Sequence, residues 1–184
     1  MRSQKSEVRS QKLEVKRIFV LIFGCALILA SSCKMKYGFK GQTIPAEAKT
    51  ISVITFKNQA DLTPPAEIQS LSQRLRDAVS SQTNLALIKQ NGDLRFEECK
   101  IVSYSYGPQS IGTGDVNQLN RLTVTISLDY VNSFDASKSF QGKTFTRYYD
   151  YDASKTLTQV EGDALDQINR QLVEDIFNAA FNNW

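Results

Sequence analysis

From residue 121 to 130 polar and apolar side chains alternate without a break. Leu122, Val124, Ile126, Leu128 and Tyr130 fall on one side, and Arg121, Thr123, Thr125, Ser127 and Asp129 on the other. A period of two over that length predicts a strand with one face buried and one face wet. Residues 50–56, rich in β-branched side chains, predict a first strand. Pro64 and Pro65 then stand where a helix can open, because the first turn tolerates proline, and Ile68, Leu71, Leu75, Ala78 and Val79 repeat at helical spacing through about Ser81.

A short strand is expected at 85–89, followed by Asn91-Gly92, a pair that favours a tight hairpin turn with positive φ at both central positions. The return strand then runs from Leu94 to about Tyr106, and a polar, glycine-bearing loop covers 107–117. After the alternating strand, a turn near 133–138 leads to a last strand over about 140–151. A hairpin pairing Val131 with Gln141 would set Asp129 opposite Lys143 and Thr125 opposite Arg147. The final helix is expected to begin near Thr158, with Thr158 and Glu161 at capping-box spacing. Leu165, Ile168, Leu172, Ile176 and Ala180 form its stripe, and Val173, Phe177, Phe181 and Trp184 widen it. So broad an apolar surface either lies between its own sheet and the other helix or docks a partner; the first is the commoner arrangement. The fold class expected is α+β, a mostly antiparallel or mixed sheet with two helices packed on one face, in the order β-α-β-β-β-β-α.

The first 32 residues follow other rules. Arg2, Lys5, Arg9, Lys12, Lys16 and Arg17 face only Glu7 and Glu14, and the apolar run from Ile18 to Ala30 follows. Thirteen residues are too few to cross a bilayer core, which takes about 20, so a secretory signal is expected rather than a membrane span. Leu29-Ala30-Ser31-Ser32 before Cys33 resembles a lipobox, whose small side chains fit a signal peptidase cleft. Cleavage is expected between Ser32 and Cys33, with the Cys33 thiol acylated; the plainer alternative is a secreted protein cut nearby with a spare thiol at that position. Several acyl chains would anchor the protein durably. Lys34 after the cysteine suggests delivery to the outer membrane, with the body facing the periplasm. The organisation expected is a lipoprotein signal peptide at 1–32, a lipidated tether at 33–48, and a single domain at 49–184.

Charge and composition then exclude several functions. The chain of 184 residues has 22 Lys+Arg and 19 Asp+Glu, but from Cys33 onward the balance is 16 to 17. The excess of positive charge belongs to the leader, which disfavours a nucleic-acid partner. There is no histidine, so serine triads, Cys-His dyads and His-ligated zinc lack their usual proton carrier or ligand. Cys33 and Cys99 alone make no thiolate cluster. No metal and no cofactor is expected.

The remaining candidates have plain readings. Gly-Thr-Gly-Asp at 112–115 lacks the Lys-Ser/Thr of a phosphate loop. Asp150 and Asp152 share one face of a strand end, without a cleft for two-carboxylate hydrolysis. Glu97 and Glu98 point to opposite faces unless a bulge intervenes. Arg121, Lys143 and Arg147, with Tyr149 and Tyr151, could line a face suited to the anionic head group and sugars of a lipid, although cross-strand pairing explains them equally well.

Several segments in order carry a resemblance: Tyr37-Gly38-Phe39 with Ile44, the Thr-Ile-Ser-Val strand, Ser-Gln-Thr-Asn-Leu (81–85), Asn-Gly-Asp-Leu-Arg-Phe-Glu (91–97) running into Tyr104, Asn-Arg-Leu-Thr-Val-Thr-Ile (120–126), and the ending from Gln171 to Trp184. Together they resemble the LptE family of lipopolysaccharide-assembly lipoproteins, over nearly the whole chain after the leader. Glu98-Cys99 departs from the small residue expected after Glu97. The resemblance implies a non-enzymatic plug and assembly partner of the outer-membrane barrel LptD, acting in lipopolysaccharide transport to the outer leaflet. Arg121, Lys143 and Arg147 would be the residues to contact lipopolysaccharide. The alternative is a periplasm-facing lipoprotein that binds an anionic lipid or glycan without a barrel; a hydrolase using Asp150 and Asp152 is a third reading.

Overall fold

The computed structural model describes residues 44–109 and 118–182. The expected signal peptide, Ser32 and Cys33, the tether up to Thr43, the 112–115 motif and Trp184 lie outside them. Among the described residues two α-helices and six strands follow in the order β1 (Thr50–Val53), β2 (Lys57–Asn58), α1 (Pro65–Gln82), β3 (Ala86–Ile88), β4 (Leu94–Gln109), β5 (Leu119–Asn132), β6 (Phe140–Asp152) and α2 (Leu157–Phe181), with one 3-10 turn at Ala136–Lys138. The class is the α+β arrangement expected; the first predicted strand, 50–56, is shortened to β1, and the two-residue β2 lies just beyond it.

The sheet runs β3-β1-β4-β5-β6, with β2 attached to β4. The long strands β4, β5 and β6 are antiparallel, whereas β1 is parallel to both its neighbours. In β5 the alternation is realised: Leu122, Val124, Ile126 and Leu128 are fully buried and Tyr130 nearly so. They join Leu71, Leu75 and Val79 of α1 and Ile168, Leu172 and Ile176 of α2 in one core, which places both helices on one face of the sheet. The wide stripe of α2 goes into this core. Val173, Phe177 and Phe181 are buried, and Phe181 meets Phe96 and Tyr130 edge-on, with ring centroids 6.1 and 5.8 Å apart.

Ser72 fastens α1 to the segment after β1. Its Oγ accepts from the Phe56 N–H at 3.0 Å and donates to the Ile68 carbonyl at 2.5 Å. The start of α1 is as expected, with Pro64 as N-cap and Pro65 in the first turn. The start of α2 is two residues earlier than expected. Thr156 is the N-cap, and its N–H donates to Gln159 Oε1 at 2.8 Å, so Thr156 and Gln159 make the reciprocal cap assigned above to Thr158 and Glu161.

Asn91-Gly92 does not turn a hairpin. β3 and β4 lie on opposite sides of β1, both parallel to it, with Leu87 and Leu94 each in register with Ile51. Residues 89–93 therefore cross the face of β1. Asn91 has φ +58°, but Gly92 is required for a different reason. A Cβ there would stand 2.6 Å from the Ser52 nitrogen, 2.7 Å from the Ile51 carbonyl carbon and 2.8 Å from the Leu94 oxygen, all backbone atoms. Asp93 ties the crossing down, since its Oδ2 accepts from the N–H groups of Lys49 (2.9 Å) and Thr50 (3.0 Å) while its own N–H donates to Thr50 Oγ1. These bonds hold the Asp93 carboxyl below its ordinary range.

The β5–β6 hairpin is also one residue off the expected register. Lys143 faces Leu128 and Arg147 faces Val124, while Asp129 Oδ1 instead accepts from the Gly142 N–H at 2.7 Å. The register shifts between Leu128 and Tyr130, where Gly142 takes φ +57°. A single extra residue on one strand inverts the faces of everything after it. β4 has two irregularities of its own, one at Glu98, which takes φ +46°. That bulge turns Cys99 fully into the core and lets Glu97 pair with Arg95 and Glu98 with Lys100, both at 2.9 Å.

Candidate functional site

The helices cover one face of the sheet; among the described residues the other face is crossed by residues 89–93 at β1 and is open over β4, β5 and β6. Three strands present hydroxyls there in register: Ser103, Thr125 and Thr146 form one row, and Ser105, Thr123 and Tyr148 the next. Thr125 and Thr146 share a hydrogen bond at 2.9 Å, and Tyr148 is half exposed. At one end Arg121 makes a two-pronged contact with Asp150, Nε to Oδ1 at 2.6 Å and Nη2 to Oδ2 at 2.8 Å, and its guanidinium lies 3.7 Å from the centre of the Tyr148 ring. The surface is polar and wettable.

The three cations singled out from the sequence do not share this face. Arg121 is on the open side; Lys143 and Arg147 are in register with the buried Leu128 and Val124, at the helix side of β6. Arg147 binds Asp175 of α2 through Nε (2.6 Å) and Nη2 (2.5 Å). Lys143 extends over Phe140 and Phe145, with Nζ 5.0 and 5.7 Å from the ring centres. Tyr149 and Tyr151 accompany Lys143 and Arg147 on that side, and Arg121 does not join them.

The Arg147–Asp175 contact is partly exposed, so water and salt still screen it. A double-mutant cycle with Arg147→Ala and Asp175→Ala, read by urea unfolding, is expected to give a coupling of about 1 kcal/mol or less, shrinking with added salt. A coupling several times larger would mean that this pair bears the docking of α2.

The other candidate groups are poorly placed for chemistry. Asp150 is held below the ordinary carboxylate range by its hydrogen bonds from Arg121, and Asp152 by bonds from Ser154. Neither is poised to exchange a proton near neutral pH. Burial pushes the Cys99 thiol up to about 12, which suppresses the reactive thiolate. Among the described residues no group of three or more acidic or cysteine side chains is arranged to hold a metal ion, and no helix is long and apolar enough to cross a membrane.

One polar cluster was missed by the sequence reading. Glu67 of α1 is 3% exposed, and Asn169 of α2 is 1% exposed. Tyr104 of β4 donates to Glu161 Oε1 of α2 at 2.6 Å. Burial raises the Glu67 carboxyl to about 7; the Asn169 amide and Arg74 oppose the rise, and the charge on Glu161 adds to it. Asn169 faces the carboxyl without full hydrogen-bond geometry: Glu67 Oε1 and both polar atoms of the Asn169 side chain are buried without a hydrogen-bond partner. A signal was present in the spacing. Glu67 precedes Leu71 and Leu75 by four and eight positions, in line with the apolar stripe of α1, and Asn169 precedes Val173 by four, within that of α2.

A comparison with curated protein sequences gives no match. Among solved structures, a minor lipoprotein from Acinetobacter baumannii is similar over 72% of this chain and 90% of its own, with 15% identity and a TM-score of 0.47. A hypothetical protein from Chlamydia trachomatis is similar over 72% and 98%, with 10% identity and a TM-score of 0.48. Likenesses this distant carry no weight for function. The family model for LptE, described as lipopolysaccharide-assembly, matches residues 48–180, which is most of the chain and nearly all of the described residues, and the chain therefore belongs to the LptE lipopolysaccharide-assembly family.

Proposed function

We propose that the protein is a non-catalytic outer-membrane lipoprotein, held by acyl chains on Cys33 with its body facing the periplasm, and that it serves as plug and assembly partner of an LptD-like β-barrel in lipopolysaccharide transport. The observation that carries this reading is the family match across residues 48–180. The hydroxyl-rich open face supports it, because the lumen of a transmembrane barrel is polar and a plug must present a wettable surface to it. Cleavage after Ser32 and acylation of Cys33 complete the reading. Of the three cations suggested for lipopolysaccharide, Arg121 and Arg147 are engaged by carboxylates, and Lys143 is the one that, among the described residues, has no ion pair.

The test is affinity purification of the tagged chain from solubilised outer membranes. The expected result is co-purification of an LptD-like barrel, together with incorporation of a clickable palmitate that is lost in Cys33→Ala. A labelled lipoprotein that brings down no barrel would favour the alternative, a lipoprotein binding an anionic lipid or glycan alone. An unlabelled chain would remove the anchor from the reading.

A further inference from the structure

The helix pair encloses three buried polar atoms without a hydrogen-bond partner, Glu67 Oε1 and both polar atoms of the Asn169 side chain. Glu67 enters from α1, Glu161 and Asn169 from α2, and Tyr104 from β4 beneath them. Arg74 of α1 faces the carboxyl from the same helix and is paired with Asp166 of α2, which also bonds Arg170. Beside the cluster is an open notch of about 330 Å³ between the N-terminal halves of the helices, lined by Pro64, Glu67, Arg74, Glu161 and Gly162. Buried polar atoms without partners are uncommon in folded proteins and costly where they occur. An ionised Glu67 would add a second carboxylate facing Glu161 in a poorly solvated site, and a protonated one would not.

We propose that Glu67, Glu161, Asn169 and Tyr104 form a proton-controlled latch between α1 and α2, closed when Glu67 carries a proton and loosened when it gives the proton up. With no histidine in the chain, the residue type that ordinarily titrates near neutral pH is missing, and the helix interface places a carboxyl in that role. The direction follows from linkage. The folded chain binds this proton more tightly than the unfolded chain, whose carboxyl has its ordinary value of 4.5. The stabilising contribution is whole below about 4.5 and is lost as pH rises through about 7.

The experiment uses the full chain in detergent. The ¹³C carboxyl resonance of Glu67 is expected to titrate near pH 7. Amide exchange in the facing halves of α1 and α2, corrected for intrinsic rates, is expected to quicken about tenfold or more between pH 5.5 and 8.5. In Glu67→Gln that pH dependence is expected to vanish. In Glu161→Gln, which retains Glu67, the midpoint should move down. A Glu67 midpoint in the ordinary carboxylate range overturns the proposal, as does pH-dependent exchange that persists in Glu67→Gln. An unmoved midpoint in Glu161→Gln overturns the cluster as assigned.

Discussion

Replacing Gly92 by alanine is expected to destabilise the domain by about 3 kcal/mol, even though the change adds one methyl group in a short connection. The methyl carbon would come within 2.6 to 2.8 Å of three backbone atoms, on β1 and at Leu94, and none of these can rotate away. Relief requires residues 89–93 to lift from β1, which stretches the Asp93 bonds to Lys49 and Thr50. In a domain whose whole stability is about 5 to 15 kcal/mol, that loss should appear as a lower urea midpoint with an unchanged slope. The control is Gly162→Ala in α2, where a Cβ meets nothing within 4 Å. There the better helix propensity of alanine should stabilise the chain by about 1 kcal/mol. Equal tolerance at the two sites would show that the crossing does not press on β1 as described.

Phe181→Ala should cost about 4 kcal/mol, the largest effect expected of any single truncation near the end of α2. Phe181 is 1% exposed and contacts Phe96, Tyr130 and Phe177, the last with ring centroids 4.7 Å apart. Loss of the ring opens a cavity and removes edge-on aromatic contacts that contribute beyond buried area. Phe181→Leu should recover about half of the loss, because leucine fills much of the volume without the ring geometry. If Phe181→Ala unfolds within 1 kcal/mol of wild type, the last turn of α2 does not close the core.

The parts of the fold legible in the sequence are those where one periodicity decides the outcome. β5 alternates over ten residues and buries the expected side; α1 and α2 carry stripes that meet the sheet as their spacing requires. What escaped were features set by single residues acting across the chain. The position of Gly142 shifts the β5–β6 register by one, and parity then separates Arg121 from Lys143 and Arg147. The odd-numbered aromatic residues Phe145, Tyr149 and Tyr151 already suggested which side of β6 faces the helices, and Lys143 and Arg147 share their parity. Asn91-Gly92 carries a strong local preference for a hairpin, but parallel pairing of β3 and β4 with β1 is a non-local outcome that no dipeptide reveals. Glu67 stands in line with Leu71 and Leu75, one turn ahead of them, which hinted at its burial; the convergence of Tyr104, Glu161 and Asn169 on it depends on how three elements pack.

The interior position of β1 has a mechanical consequence. Although it is the first strand among the described residues, it is hydrogen-bonded on both sides, by β3 and by β4, and residues 89–93 pass across one of its faces. Tension entering along the strand axis from the segment before Thr50 therefore loads both ladders together in shear, where a strand at the margin of the sheet would be peeled away one bond at a time. The Asp93 clamp on Lys49 and Thr50 takes up that load at the point of entry, so a tug on the leading segment is shared between the clamp and both ladders of β1.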